Sequence, residues 1–147
     1  MDRSAATILC ASREKADAAC CALADGGAGF GVSAQTVPAF LREQWDLWGD
    51  GRQLVAPLQR RALMERAVAA GERLPPTAGT EAAIAAFARR LAGTEGLRAA
   101  LDGTGCPAGL APWEAAVLAA VGRYGEALWE AGLVEPGEAA ALIAGRV

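Results

Sequence analysis

The chain has 147 residues, of which 53% are hydrophobic and 21% charged, with a net charge of −3. That length and composition suit a packed core and argue against intrinsic disorder, and the slight acidity gives no global attraction for nucleic acid or anionic lipid. No apolar run reaches the roughly 18 to 20 residues that a membrane span needs, and the N-terminus lacks a signal peptide's long apolar stretch, so no membrane partner and a cytoplasmic location are expected.

Whole classes of chemistry are missing from the residue inventory. There is no histidine, which removes Ser-His and Cys-His pairs and the usual neutral-pH base. Cys10, Cys20, Cys21 and Cys106 form no C-x-x-C pair and read as buried reduced thiols rather than zinc ligands. No phosphate-binding loop or dinucleotide fingerprint is present, and the glycine-rich "DGGAGFG" at 25–31 reads as a plain loop. No cofactor, no metal site and no catalytic set are expected in this chain.

The run from Ala5 to Ser12 is short and apolar, with Thr and Ile, and reads as a buried strand. Ser12 is a suitable N-cap for the helix "REKADAACCALADGG", where Ala16, Ala19, Cys20 and Leu23 share a face. In "GVSAQTV", Val32, Ala34 and Thr36 alternate with Ser33 and Gln35, predicting a second strand. Strand, helix and strand in so short a span predict a parallel, right-handed βαβ unit.

Pro38 then opens a helix whose Leu41, Trp45 and Trp48 fall at i, i+4 and i+7, with Phe40 and Leu47 widening the stripe. "RQLVAP" reads as an extended link. The helix "PLQRRALMERAVAAG" is expected to turn Leu58, Ala62, Leu63 and Ala67 inward. Its Arg60, Arg61, Glu65 and Arg66 are left in solvent, with Arg61 and Glu65 spaced to pair.

"ERLPPTAG" is a linker, and no strand is expected after it. Thr80 can cap a helix with Ile84, Phe87 and Leu91 on one face. "EGLRAALDG" predicts a short helix and "TGCPAGLA" a loop. Pro112 opens the longest helix, with Trp113, Val117, Val121, Tyr124 and Leu128 aligned, and "EPGEAAALIAGR" makes the last. The fold class is therefore α/β but mostly α: a short parallel two-stranded βαβ start over 1–73, followed by a helical subdomain over 74–147. Two strands make a poor independent sheet, which suggests a portion of something larger.

Three phrases in order, "TILCASREKADAACCALADGG", "GVSAQTVPAFLREQWDLWGDGRQLVAPLQRRALMERAV" and "WEAAVLAAVGRYGEALWEAGLVEPGEAA", give the chain a resemblance. It resembles the N-terminal helicase-like region of AddB-type (RexB-like) subunits of bacterial helicase–nuclease complexes, relatives of the UvrD-like superfamily 1 helicases. Tyr124, Leu128, Gly132, Leu133, Val134 and Glu135 match a phrase typical of that family's helical insertion. Val37 and Pro38 stand where the family's second strand runs on into Phe-x.

The resemblance implies a degenerate helicase fold without its ATP-binding loop, with the nuclease motif and its iron–sulfur cysteines elsewhere. It also implies a non-catalytic role in DNA repair and recombination: scaffolding, and contact with single-stranded DNA as double-strand-break ends are processed. Partners would be other domains of the same polypeptide or a helicase partner subunit. Thr36 would match the family's DNA-facing Thr with Gln35 beside it, and Ser12 and Arg13 an earlier DNA-facing loop, where a hydroxyl and a guanidinium suit phosphate. The residues alone leave two other readings open. Thr36 is equally a helix N-cap, and the chain equally a stand-alone α-rich protein–protein interaction module. A small-molecule site at the strand ends, near Ser12 and Thr36, would lack a reactive group.

Overall fold

The computed structural model describes residues 6–27, 31–94 and 109–145. The short helix expected at "EGLRAALDG", most of the loop expected at "TGCPAGLA", and Cys106 lie outside them. The architecture is mostly helical, with a short parallel two-stranded sheet at the start, and it divides into two compact units at Leu47/Trp48.

The first unit begins with β1 (Ala6–Cys10), α1 (Arg13–Asp25) and β2 (Val32–Thr36). The strands are parallel, in a register that runs from Ala6 opposite Val32 to Cys10 opposite Thr36. Ser12 caps α1, its hydroxyl accepting from the backbone N–H of Lys15 at 3.3 Å. α1 lies against the sheet, with the Cys20 thiol donating to the Ala34 carbonyl at 3.6 Å. Thr36 leads directly into α2 (Val37–Trp48) and accepts from the N–H of Ala39 at 3.4 Å.

Burial in this unit is sparse. Of α1 only Ala16 is buried, because two strands offer a helix too narrow a platform. Cys20 and Cys21 are exposed and Cys10 is half-buried, so the thiols are free but not buried as expected. β1 is exposed from Ala6 to Leu9, again contrary to the buried strand expected. The tryptophan stripe of α2 splits: Trp45 is buried, while Leu47 and Trp48 are exposed.

The second unit is built on α3 (Pro57–Ala69), α4 (Ala78–Leu91), α5 (Pro112–Glu130) and α6 (Pro136–Ala144). Pro57 and Pro112 start their helices where a missing N–H is harmless. The N–H groups before them are met by Gln59 at 2.9 Å and Glu114 at 2.7 Å. Thr77, not Thr80, caps α4, its hydroxyl accepting from the N–H of Thr80 at 3.2 Å. α3 packs on both α4 and α5, so it belongs with the helices that follow it despite the linker at 71–77.

α3 is rotated from its expected orientation. Leu58 is 81% exposed, Ala62 is also exposed, and Met64 and Val68 are fully buried beside Ala67. The inward stripe therefore runs 60, 63, 64, 67, 68, which carries Arg60 in with it. No ion pair joins Arg61 to Glu65. Val55, Ile84, Ala88, Ala120, Val121, Tyr124, Leu128 and Leu133 complete this core. Of the aromatic positions expected to pack, Phe87 and Trp113 are exposed. Each fully buried Met or Val contributes about 1.5 to 3 kcal/mol by leaving water.

Two short strands close this unit. β3 (Gln53–Leu54), expected as a plain link, pairs in parallel with β4 (Leu133–Val134). Backbone bonds from Gln53 to Gly132 (2.8 Å) and from Val55 to Val134 (3.0 Å) extend the pairing. The turn after α4 meets the first turn of α6 at two glycines. Gly93 has φ +83, and a side chain there would strike the carbonyl of Gly137. One on Gly137 would come within 2.8 Å of the Ala92 carbonyl.

Candidate functional site

The register of β1 and β2 brings the four sequence-predicted residues to one end of the first unit. Cys10 sits opposite Thr36, so the Ser12–Arg13 and Gln35–Thr36 segments both lie at the carboxyl end of the sheet. In open α/β sheets that end is where ligands bind.

Their side chains are partly engaged already. The Ser12 and Thr36 hydroxyls accept the capping N–H groups described above and keep their own protons to donate. The Gln35 amide donates to Glu43 Oε2 at 3.0 Å. Arg13 is the least committed, with a side chain 92% exposed and 3.9 Å from Asp17, which is 72% exposed. Two hydroxyls, an amide and a guanidinium can hold an anionic oxygen.

The second unit holds a polar network that sequence reasoning missed. Glu135, between β4 and α6, is 3% exposed. Arg60 grips its carboxylate with a two-pronged fork, donating from Nε to Oε1 and from Nη2 to Oε2, both at 2.8 Å. The Tyr124 hydroxyl donates to the same Oε1 at 2.5 Å. Bonding to Glu135, against the opposing effect of burial, raises the Arg60 guanidinium above its ordinary value. Burial first, then the neighbouring carboxylate, pushes the Tyr124 hydroxyl well above its usual range. The three groups join α3, α5 and the β4–α6 junction.

A second cluster lies nearby. Arg52 bonds Asp50 at 2.8 Å and Glu138 at 3.0 Å, and its guanidinium lies 4.9 Å from the centre of the Trp129 ring. The bond from Arg52 holds the Asp50 carboxyl below the usual carboxylate range, against a small effect of desolvation. Both clusters border a cavity of about 580 Å³ whose other walls include Val121, Leu128, Ala88 and Leu142.

The one textual signal for the first network was Glu135 between a short apolar pair and a proline. Its partner Arg60 stands 75 residues away. Among the described residues, no group of three or more His, Cys, Asp or Glu is placed to hold a metal ion, and no helix is long and apolar enough to cross a membrane. No family model, curated protein or solved structure matches this chain.

Proposed function

We propose that this chain is a non-catalytic domain of a DNA-repair and recombination helicase–nuclease subunit, scaffolding the complex and touching single-stranded DNA while double-strand-break ends are processed. The observation that carries this reading is the open parallel sheet. Ile8 is 41% and Leu9 49% exposed, on opposite faces of β1. Parallel sheets occur with both faces covered, and two strands do not make a self-sufficient sheet. A sheet left in this state is completed by further strands and helices, supplied by other domains of the same polypeptide or by a helicase partner subunit.

In this reading the DNA lies at the shared carboxyl end of the strands. Arg13 makes the main phosphate contact in this reading, and the Ser12 and Thr36 hydroxyls donate the weaker ones. ATP turnover and strand cleavage belong to other parts of the assembly.

The test is an in-frame deletion of residues 6–47 in the source cells, scored by survival after double-strand breaks, with an immunoblot for the native polypeptide. Sensitised cells and a band several times larger than 15.0 kDa are expected. Normal survival with a band at 15.0 kDa overturns the reading. That result favours the alternative, an α-rich protein–protein interaction module, for which the cavity in the second unit is the supporting observation.

A further inference from the structure

The second unit carries a basic groove that none of the foregoing uses. It lies between α3 and α4, has a volume of about 400 Å³, and is lined by Arg60, Arg61 and Arg89 against a single acid, Glu81. Glu135 compensates Arg60. Arg61 and Arg89 are exposed, and no hydrogen bond or ion pair joins either side chain to another described residue. The chain as a whole is acidic, yet three guanidiniums answered by Glu81 and Glu135 leave the groove one net positive charge, which reverses the local sign.

We infer that this groove is a phosphate-binding site that takes the backbone of single-stranded DNA. The choice of nucleic acid over another polyanion rests on the function proposed above; the charge and shape are independent of it. Guanidinium forks match phosphate oxygens in pairs. Exposed Ala82 and half-buried Ala85 give the groove a small apolar flank against which a sugar or base edge can rest. A concavity between two helices can take the exposed backbone of a single strand, whereas a duplex is read by a helix or ribbon that projects into its groove. Glu81 opposes an anion and sets a limit on affinity.

The experiment is fluorescence titration of the full chain with a labelled oligothymidylate across a salt series, comparing wild type, R61Q/R89Q and R13Q. Both groove arginines are exposed and make no side-chain bond among the described residues, so circular dichroism and the melting temperature of R61Q/R89Q should match wild type. Removing two phosphate contacts should flatten the log–log salt slope by about 1.4, so a fourfold rise in salt costs wild type about sevenfold more affinity than the variant.

A slope unchanged in R61Q/R89Q but reduced in R13Q confines DNA to the strand ends. That overturns the groove and leaves the proposed function standing. Equal displacement of the oligonucleotide by polyglutamate at matched charge makes the groove an acidic-peptide site and overturns the inference. Absence of oligothymidylate binding at low salt also overturns it, while the survival experiment still decides the function separately.

Discussion

The two units draw on similar residues and end in opposite states. In the first, α1 has an apolar stripe of Ala16, Ala19 and Leu23, yet only Ala16 is buried. In the second, the equivalent stripe of α3 buries Met64, Ala67 and Val68. The difference lies in what faces the helix. α1 meets two narrow strands, while α3 meets two long helices, and burial scales with the surface a neighbour offers. Charges follow the same division. Arg13 and Asp17 are solvated at 3.9 Å, whereas Arg60 and Glu135 are locked at 2.8 Å behind protein. A polar contact gains rigidity where a core already excludes water.

The largest way to break this contrast is Glu135→Ala. It strands the Arg60 guanidinium and the Tyr124 hydroxyl without their acceptor, and should lower stability by about 3 to 5 kcal/mol in urea denaturation. Native-state hydrogen exchange should speed up across α3 and α5 and leave α1 as fast as before.

Tyr124→Phe removes one donor and keeps the fork from Arg60, for about 1.5 to 3 kcal/mol. It also has a pH signature. A tyrosine whose folded pKa is raised contributes fully below its unfolded value of about 10 and loses that contribution as pH rises toward the folded value. Wild-type stability should therefore fall as pH is taken above about 10, and Y124F should lack that component of the fall.

Glycine substitutions sharpen the comparison further. Gly93→Ala combines a left-handed backbone with a clash at the Gly137 carbonyl, and should cost about 1 to 3 kcal/mol in thermal melts. Gly27→Ala in the first unit has the same backbone sign, φ +70, but open space around it, so only the backbone penalty of about 1 kcal/mol should appear. The smallest effect belongs to Ile8→Thr on the open sheet, within about 0.5 kcal/mol for the isolated chain. A loss well beyond that would mean the sheet is not open in solution.

What could be read from the sequence follows how locally each feature is encoded. β1, β2 and the helices announce themselves through a short apolar run, alternation, 3.6-residue periodicity, Ser12 and the prolines that open helices, Pro57, Pro112 and Pro136. The phase of α3 is hidden because Leu58 is a stronger apolar cue than Met64, yet it sits in the first turn and is 81% exposed. Trp48, in the last turn of its helix, is 56% exposed. β3 and β4 are two residues each, too short to show a period. Parallel pairing fixes which strand ends align, and so brings the four strand-end residues to one end of the sheet. The bond from Arg60 to Glu135 was illegible, since nothing near either residue marks the other.

That long-range bond has a consequence for how the protein is made. At a ribosomal rate of about 5 to 20 residues per second, Glu135 is polymerised about 4 to 15 s after Arg60, whose partner it is 75 residues on. Throughout that interval the arginine face of α3 and the strand β3 have neither their carboxylate nor their pairing strand. The second unit is thus a late-closing structure, whose final clasp is a three-residue phrase, Leu133, Val134 and Glu135, delivering a strand and a counter-ion together.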